Sequence, residues 1–498
     1  MRHLQLSSLR SGEGSATAKI VSLPAPAAWE IAWPLGWPQG ARVAVLLLTD
    51  VAALLLAASF GYLLWVQPVL HQPLSLYVNL MPLLLLFPLG YAGAGLYPGF
   101  GVGVVETLRR FSYCTSFAFL VLAAVSFVFK LPHDYSRMAF TIAWGTSLIM
   151  VPLLRFLVLS VVSKWQWWEE PAVLVGNEQW ARRTIRALTD AFSLGYRPLA
   201  LLSPGLRRHG RTVEGVPVLG GPELAPRLAA RGVRVALVWE RRGNGNGSIL
   251  DWLQQHFRHV VMIREWDFPV ERVQICSLGR VLGITFTNDL LRWQNRFIKR
   301  TLDVVFGAVL LLCASPVIVL GGVLVKLVSW GPIFFCQERE GREGHPVKIW
   351  KLRTMYEDAE QRLEEFLSAN PELRREWEER FKLAYDPRVI PGVGIFLRRF
   401  SIDELPQLWS VVKGEMSLVG PRPFPEYHLQ QFPAEFRELR WRVRPGLSGM
   451  WQVMVRSNGG IEEQQAYDTY YIRNWSIWLD FYILIRTVFV VLVGRGAY

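Results

Sequence analysis

The sequence predicts a multidomain membrane protein: a four-helix transmembrane bundle, then a small α/β domain, then an α+β domain with a re-entrant membrane helix hairpin. Three observations lead to this prediction. Hydrophobic residues make up 51% of the chain and charged residues only 19%, whereas soluble domains are roughly a quarter charged. Five long apolar stretches are present, and the fifth differs from the others by an internal Ser-Pro pair. A length of 498 residues is also more than one ordinary core needs.

The first four apolar stretches each hold the roughly 20 residues that a helix needs to cross a bilayer. Arg109 and Arg110 flank the loop between the second and third stretches, whereas the loop between the first two has neither Lys nor Arg. This bias predicts that both ends of the bundle are cytoplasmic. We therefore expect a cytoplasmic segment at 1–40 and four transmembrane helices within 41–165; the alternative is a set of helices buried in a soluble core. The stretches are 41–66, 74–97, 111–131 and 138–162.

The chain carries a net charge of +13, which suits nucleic acid, anionic lipid or phosphorylated substrates. Because several apolar spans are present, lipid and phosphate are favoured, and no nucleic-acid partner is expected. The four cysteines are far apart, with no CxxC pair and no His/Cys cluster. Their spacing indicates neither a zinc site nor a disulfide framework, and it fits a reduced, cytoplasmic setting.

Residues 170–290 have a soluble composition, in which the apolar segments PAVLVGN, GVPVLGG and VRVALVW alternate with helical patterns. This alternation predicts a small Rossmann-like α/β domain with parallel strands. A dinucleotide site needs the spacing GxGxxG, because the backbone must approach the pyrophosphate closely. Gly176 is present, but Glu178 and Ala181 take the places of the second and third glycines. We therefore expect a regulatory or assembly domain, and a nucleotide-sugar oxidoreductase or epimerase is disfavoured.

The fifth apolar stretch, 297–328, begins with charged residues, among them Lys299 and Asp303, and contains Ser315 followed by Pro316 near its middle. Proline removes a helix donor and clashes with the preceding turn, and the Ser315 hydroxyl can satisfy freed backbone groups in lipid. The stretch is either a straight span with a mild kink or a helix that bends and returns to the side it entered. Soluble, charged segments on both sides favour the re-entrant helix, because a fifth crossing would separate them.

Asp403 and Glu404 stand at the start of a predicted helix, where two cap assignments compete. Ser401 has capping-box spacing to Glu404, but this choice puts Pro406 where the helix needs an N–H. Asp403 as the cap moves Pro406 into the first turn, where proline is tolerated. Both assignments place the two acids in the positive field of a helix N-terminus, which favours ionised carboxylates. An ionised aspartate is a competent nucleophile towards phosphorus, and neighbouring carboxylates suit Mg²⁺; the alternative is plain helix capping.

Basic residues accompany these acids in the sequence. Arg398 lies shortly before them, and the rigid turn PRP presents Arg422 after them. The planar guanidinium suits phosphate oxygens, so two arginines can hold a diphosphate. Lys351 and Arg353 in KLRTM, and Arg444 before a Pro-Gly pair, add positive charge. The pattern predicts phosphate binding at these five residues; the alternative is that some of them face anionic lipid headgroups.

From about residue 295 to the C-terminus, the chain carries several long motifs in one order. They are KR-x-x-D with the Ser-Pro pair after it, GP-x-x-F-x-Q-E-R-x-G-R-x-G, K-x-RTM, DELPQLW, KGEMSLVGPRP and RPG-x-SG-x-WQV. This region, 295–498, resembles the catalytic domain of the bacterial sugar transferases, the monotopic polyprenyl-phosphate phosphoglycosyl transferases. With the four spans and the α/β domain, the whole chain resembles the undecaprenyl-phosphate galactose or glucose phosphotransferases.

The resemblance implies that Asp403 attacks the β-phosphate of a UDP-sugar, so that UMP leaves and a covalent phosphosugar–enzyme intermediate remains. Undecaprenyl phosphate then attacks this intermediate and yields a polyprenyl-diphosphate sugar, in the first membrane step of surface polysaccharide synthesis. Glu404 would help to bind Mg²⁺, together with Asp403, or assist proton transfer. Arg398 and Arg422 would bind phosphate.

The resemblance also implies that Ser315 and Pro316 break a re-entrant helix and place the site at the cytoplasmic face of the bacterial inner membrane. The final segment, SIWLDFYILIRTVFVVLV, is apolar but carries Asp480 and Arg486. It predicts a helix lying along the interface instead of a sixth crossing. A homodimer is expected, because the bundle and the soluble domain offer ample contact surface.

Two other functions stay open on the sequence. One is a membrane-anchored scaffold or regulator without turnover, which the intact acids and arginines disfavour. The other is a glycosyltransferase that moves the sugar alone. The released nucleotide separates the three possibilities: UMP for phosphosugar transfer, UDP for sugar transfer, and none for a scaffold.

Overall fold

The computed structural model describes the chain from Gln39 to Val493, apart from short internal segments. Those segments are 79–80, 129–135, 164, 166–167, 191–194, 204–210, 240–245, 264–272, 279–280, 287–288, 290–291, 371, 375–376, 378–385 and 456–459. The predicted cytoplasmic segment at 1–40 thus lies almost wholly outside the described residues. The chain divides into two compact units, one with the residues up to Gly103 and Arg110–Glu265, the other with Val104–Arg109 and the residues from Trp266 onward.

Five helices in the described residues are long and apolar enough to cross a membrane. They span Gln39–Leu70, Leu74–Gly93, Val104–Val128, Arg137–Val162 and Trp293–Val328. The first consists of Gln39–Gly61 and a π-helical continuation, Tyr62–Leu70; the second contains Leu74–Val78, a 3₁₀ turn at Met81–Leu85 and Leu86–Gly93. The expectation of a membrane protein with five long apolar stretches is confirmed. How many of them cross the bilayer stays a prediction.

In the first unit, a buried ion pair joins the helix Gln39–Gly61 to the helix Arg137–Val162. An Nη atom of Arg155 lies 2.8 Å from Asp50 Oδ2, and both side chains are almost fully buried. The Tyr97 hydroxyl donates to the same oxygen at 2.6 Å. Because an unpartnered charge inside a membrane is costly, this pairing stabilises the contact between the two helices.

The first unit also contains a six-stranded sheet, which accounts for the predicted α/β domain. In spatial order its strands are Thr212–Val213, Val216–Gly220, Tyr196–Leu202, Glu170–Val175, Val235–Trp239 and His259–Ile263. The first two strands pair antiparallel and the others pair parallel. The helices Glu178–Asp190, Ala225–Ala230 and Asn246–Gln254, with a 3₁₀ turn at Pro222–Leu224, connect them. Apolar clusters lie on both faces of the sheet, as in doubly wound folds.

The turn after the first strand of this sheet is filled by a tryptophan. A β-carbon added at Gly176 would lie 2.6 Å from the ring of Trp180, which is 1% exposed. In doubly wound sheets a dinucleotide lies at the carboxyl ends of the strands, where the strand order reverses, with its pyrophosphate against this glycine-rich turn. The Trp180 ring belongs to the apolar cluster on one face of the sheet, and Gly176 leaves room for it. A regulatory or assembly role for this domain stays a prediction.

The second unit holds the helix Trp293–Val328, which we call the membrane helix, and two antiparallel hairpins. One hairpin pairs Val273–Leu278 with Val281–Phe286; the other, the site hairpin, pairs Phe334–Glu340 with Pro346–Leu352 across a 3₁₀ turn at Arg342–Gly344. Two short strands, Ser417–Val419 and Gly446–Ser448, pair parallel. The other helical elements are Ala359–Ala369, Val393–Arg399, Ile402–Gln407 (3₁₀), Leu408–Lys413, Glu426–Leu429, Ala434–Trp441, Met450–Met454, Ile461–Arg473 and Ile477–Val493.

The core of the second unit joins the site hairpin to the parallel strands and the last two helices. Ile349, Leu418 and Tyr471 are each at most 4% exposed, as are Val411 and Ile483. Burial of each such side chain contributes about 1.5–3 kcal/mol. The last helix has 17 residues, which corresponds to about 26 Å. These are the described residues of the helix, and its position along the interface stays a prediction.

Candidate active site

The two predicted acids lie on the 3₁₀ segment Ile402–Gln407, which we call the acidic turn. Ser401 precedes it with φ 55°, in the left-handed region that is strained for a residue with a β-carbon. Ser401 occupies the cap position, as one of the two assignments predicts, but its side chain makes no capping hydrogen bond; the assignment of Asp403 as the cap is wrong, because Asp403 lies inside the turn. The physical reason is Pro406: the tight turn accommodates a residue without an N–H before the regular helix begins at Leu408.

Burial and charge push the pKa values of the two acids apart. Asp403 is 8% exposed, and burial, followed by the negative charge of Glu404, raises its pKa to about 6. Burial acts in the same direction on Glu404, but the positive charges of Lys351 and Arg422 outweigh it and hold the pKa of that carboxyl well below its usual range. Opposite shifts at neighbouring carboxyl groups are typical of sites in which the two groups take different roles.

Two cations converge on one oxygen of Glu404. Lys351 Nζ lies 2.7 Å and an Nη atom of Arg422 lies 3.0 Å from Glu404 Oε1. Lys351 stands near the end of the site hairpin, on the same face of its strand as the buried Ile349. The charges of both cations also act on Asp403 and oppose the rise of its pKa. The acidic turn is therefore covered by positive charge from two separate segments.

Arg422 is presented by the segment Gly420–Pro423, which we call the arginine turn. Its backbone is held against the neighbouring strand: the Gly420 N–H donates to the Ser448 carbonyl and the Gly446 N–H donates to the Pro421 carbonyl, both at 2.9 Å. A β-carbon at Gly446 would overlap the backbone of Gly420, so this close approach requires glycine. The turn is thereby fixed before any substrate binds.

Arg440 supports the arginine turn from the protein interior, and sequence reasoning missed it. Arg440 forms an ion pair with Asp468, and the two side chains are 6% and 3% exposed. An Nη atom of Arg440 also donates to the main-chain carbonyl of Arg422 at 2.5 Å. The pair joins residues 28 positions apart, so no local sequence pattern reveals it.

The strand Ser417–Val419 leads into the arginine turn and is held by charged residues of two apolar helices. Lys299 Nζ donates to a main-chain carbonyl of the strand at 3.1 Å and to Asp480 Oδ2 at 2.7 Å. Asp303 Oδ1 accepts a main-chain N–H of the strand at 3.0 Å. The sequence shows Lys299, Asp303 and Asp480 only as charges within apolar stretches. Their contacts explain why these charges are present: they fix the backbone that carries Arg422.

Arg398 stands near the end of the helix Val393–Arg399, which precedes the acidic turn. Its Nε donates to Thr354 Oγ1 at 2.9 Å, and its charge opposes the rise in the pKa of Asp403. Burial lowers the pKa of the Arg398 guanidinium, whereas the nearby charges of Asp403 and Asp386 raise it. Arg398 is thus positioned to act on the same acid as Lys351.

The two remaining predicted phosphate-binding residues have other partners. Arg353 has a side chain only 5% exposed, and it donates to the Ser329 carbonyl at 2.6 Å, where the membrane helix ends. Arg444 Nε donates to the Gly414 carbonyl at 2.9 Å, at the end of the helix Leu408–Lys413. The structure therefore brings Asp403, Glu404, Lys351, Arg422 and Arg398 together, and it directs the side chains of Arg353 and Arg444 to helix ends.

Ser315 and Pro316 lie within the membrane helix, which runs unbroken from Trp293 to Val328. Pro316 has no N–H, so the carbonyl of Leu312, four residues earlier, lacks its helical donor. The Ser315 hydroxyl donates to that carbonyl at 2.8 Å. The serine thus satisfies the group that the proline leaves free.

A magnesium ion has a limited set of protein ligands at this site. The described residues contain no group of three or more His, Cys, Asp or Glu side chains that could hold a metal ion. Asp403 and Glu404 supply two carboxylates, and Mg²⁺ commonly binds one or two carboxylates together with substrate phosphates and water. The donor set therefore fits an ion that completes its coordination with phosphate oxygens.

A buried and a partly buried carboxylate lie beside three cations, in a protein with long apolar helices. These features define a membrane-associated class of proteins suited to phosphorylated substrates. Comparison with known proteins gives the family more closely. The family model described as bacterial sugar transferase matches residues 294–494.

Relatives extend the match beyond this region. A UDP-galactose-lipid carrier transferase of Erwinia amylovora is 32% identical over 371 residues, covering 73% of this chain and 77% of that protein. An undecaprenyl-phosphate galactose phosphotransferase of Salmonella typhimurium is 31% identical over 401 residues, covering 79% and 82%. A UDP-glucose:undecaprenyl-phosphate glucose-1-phosphate transferase of Escherichia coli is 38% identical over 240 residues, covering 47% and 48%. The chain belongs to the bacterial sugar transferase family, and the predictions of this family and of a transferase enzyme are confirmed.

Proposed function

We propose that the protein transfers hexose-1-phosphate from a UDP-sugar to undecaprenyl phosphate and releases UMP, as the first membrane step of surface polysaccharide synthesis. Galactose and glucose are the favoured hexoses. Two relatives that match more than 70% of the chain are named for galactose, and one that matches 47% of the chain is named for glucose. The inactive scaffold is not favoured, because the acids and their cations keep a working arrangement.

The observation that carries the proposal is the contrast between the two neighbouring carboxyl groups. Glu404 is held ionised by Lys351 and Arg422 at 2.7 and 3.0 Å, and burial gives Asp403 a pKa of about 6. At neutral pH most of Asp403 is therefore ionised, and its charge is poorly solvated, which favours attack on an electrophile. The three surrounding cations suit the negative charge of a diphosphate and of the transition state.

The proposed reaction has two displacements at the same phosphorus. A carboxylate oxygen of Asp403 attacks the β-phosphorus of the UDP-sugar, and the bond to the bridging oxygen breaks, so that UMP leaves with the bonding electrons. A phosphate oxygen of undecaprenyl phosphate then attacks the phosphosugar–aspartyl ester. The bond to Asp403 breaks, the carboxylate is regenerated, and a polyprenyl-diphosphate sugar results.

Mg²⁺ is part of the proposal, with Asp403 and Glu404 as its protein ligands. When bound, the ion would neutralise charge on the donor diphosphate and make it more electrophilic. The residues of the chain have their own tasks: Lys351 and Arg422 orient Glu404, and the charge of Arg398 acts on Asp403. Mg²⁺ dependence of UMP release would test this part.

We also propose that the membrane helix is re-entrant and that the site faces the cytoplasm at the inner membrane. The buried residues of this helix lie on both sides of the Ser-Pro pair, and none lies within 308–320. Gly307 packs against Val411, and Gly321 packs against Leu352, so the helix contacts the same unit before and after that pair. Because a crossing helix would send one end to the far side of the bilayer, these contacts support a helix that enters and leaves on one side.

Impermeant maleimide labelling tests this topology. In a variant without the native cysteines, Trp293→Cys and Trp330→Cys place single thiols at exposed positions that flank the membrane helix. Both thiols should react in inside-out vesicles and stay unreacted in intact spheroplasts. Labelling of the two positions from opposite sides would show a crossing helix.

The test of the reaction incubates detergent-purified protein with Mg²⁺, undecaprenyl phosphate and a panel of UDP-sugars, and identifies the released nucleotide. UMP release from one or two sugars, lost in Asp403→Asn, would support phosphosugar transfer. Asp358→Asn is the control, since this aspartate side chain is 51% exposed and pairs with Arg362 on the helix Ala359–Ala369. Release of UDP would mean transfer of the sugar alone and would remove Asp403 from its role.

The covalent intermediate has a test of its own. Without lipid acceptor, protein given a UDP-sugar should release about one UMP per chain and gain the mass of one hexose phosphate. The added mass should map to the peptide with Asp403 and disappear on later addition of undecaprenyl phosphate. UMP release that begins only when undecaprenyl phosphate is added, with no added mass on the protein beforehand, would favour direct transfer between the two substrates.

A further inference from the structure

A cavity beside the acidic turn is suited to one half of the donor. Its lining includes the cations Arg339, Lys351 and Arg422 and the apolar residues Pro423 and Leu447. Its described lining includes Glu404 and does not include Asp403. The cavity therefore lies next to the proposed nucleophile but does not contain it.

Arg339 reaches this cavity from the site hairpin. In the antiparallel register Arg339 stands opposite Val347, and Lys351 stands opposite Phe335. Directly opposite side chains share a face, and side chains alternate along each strand, so Arg339 and Lys351 lie on the same face of the hairpin. That face is the one that covers the acidic turn.

The guanidinium of Arg339 contacts a side-chain amide and a main-chain carbonyl. It donates two hydrogen bonds to Gln337 Oε1, at 2.6 and 3.1 Å, and a longer one of 3.4 Å to the carbonyl of Pro423. The amide of Gln337 thus orients the guanidinium, and the contact with Pro423 places the guanidinium beside the arginine turn. An oriented guanidinium presents donors in the plane that suits phosphate oxygens.

We infer that Arg339 binds the phosphate of the departing nucleotide, and that the cavity holds the nucleoside monophosphate half of the donor. The inference rests on the proposed function, in which the reacting β-phosphorus sits at Asp403. The second phosphate then lies one bridging oxygen away, on the side of Glu404, which lines the cavity. Lys351 and Arg422 meet Glu404 there, and Arg339 is the third cation of the lining. Pro423 and Leu447 offer apolar surface to the ribose and base.

Binding of UMP to the full-length protein in detergent tests this inference without turnover. In the Asp403→Asn background, isothermal titration with UMP is compared for Arg339→Gln, Arg339→Lys and Lys348→Gln. Lys348 is the matched control, because it is exposed and lies on the opposite face of the site hairpin. We expect Arg339→Gln to weaken UMP binding about tenfold or more, as for a lost charge-assisted hydrogen bond. Arg339→Lys should keep part of the affinity, and Lys348→Gln should change it less than about twofold.

Equal UMP affinity with and without Arg339, or an equal loss in Lys348→Gln, would overturn the inference. Its failure is distinct from failure of the proposed function. The wild-type protein could release UMP during transfer while Arg339→Gln leaves the UMP affinity unchanged. In that case only the inference is wrong. If UMP binding depends on Arg339 but turnover releases UDP, the binding site is supported and the proposed reaction is wrong.

Discussion

An Nη atom of Arg440 donates a 2.5 Å hydrogen bond to the main-chain carbonyl of Arg422, while the Arg422 side chain contacts Glu404 at 3.0 Å. A buried ion pair with Asp468 keeps the Arg440 guanidinium in place. The position of the cation at the acidic turn is thus determined by a charge pair in the interior of the protein. Arg440 and Asp468 are positioning residues that act through Arg422.

The first prediction concerns this arrangement. Arg440→Lys should lower kcat about tenfold, because a compact ammonium cannot donate to both Asp468 and the Arg422 carbonyl in the geometry of a guanidinium. The measurement is UMP release from the UDP-sugar in detergent. Arg437→Lys is the control, since Arg437 lies on the same helix and its side chain is 25% exposed.

A double-mutant cycle separates positioning from general stability. If Arg440 acts through Arg422, Arg440→Lys should have little further effect in an Arg422→Ala background. Independent, multiplicative losses from the two substitutions would mean that Arg440 only supports the fold.

The second prediction is a dependence of the first half-reaction on pH. The pKa of Asp403 is raised to about 6, and the nucleophile must be ionised. The rate of UMP release should therefore fall as the pH falls through about 6. In Glu404→Gln the negative neighbour that raises this pKa is absent, and the charges of Lys351 and Arg422 remain. The fall of the rate at acid pH should therefore move to lower pH.

The measurement is a single-turnover burst of UMP without lipid acceptor, because the monoester phosphate of the acceptor itself titrates near pH 6. Glu360→Gln is the control: Glu360 is an exposed acid on the helix Ala359–Ala369. If the rate of UMP release falls at the same pH in Glu404→Gln as in the wild type, the titrating group is not Asp403.

The sequence predicted the order of the elements and the pair of acids, but it could not predict which cations reach them. Lys351 and Arg353 are two residues apart, which in a continuing strand would place them on one face. The strand ends at Leu352, so Arg353 leaves that face and contacts Ser329. The end of a strand depends on its partner strand and not on the motif KLRTM.

The sequence predicts some strands and contacts of the structure and not others. A continuous apolar run predicts the strand Val235–Trp239, whereas Tyr196–Leu202 begins with polar residues and a proline and has no such signal over its full length. Arg440 pairs with Asp468 across 28 residues. Such contacts arise from tertiary packing, and a periodic pattern carries no information about them.

The third prediction concerns Ser315 and Pro316 in the membrane helix. Ser315→Ala should destabilise the protein by about 1 kcal/mol, since the carbonyl of Leu312 then loses the hydroxyl that donates to it at 2.8 Å. Ser315→Thr, which keeps a hydroxyl, is the control. Pro316→Ala restores an N–H to the backbone, and this N–H can donate to the same carbonyl.

The cost of Ser315→Ala should consequently shrink toward zero when Pro316 is also alanine. The four variants form a cycle that is read from the unfolding midpoint of the full chain in nanodiscs. A coupling near zero would mean that the hydroxyl does not satisfy the carbonyl freed by the proline, and the serine would then need another explanation. A coupling close to the full cost of Ser315→Ala would show that serine and proline act as one unit, with the serine compensating inside lipid for the donor that the proline lacks.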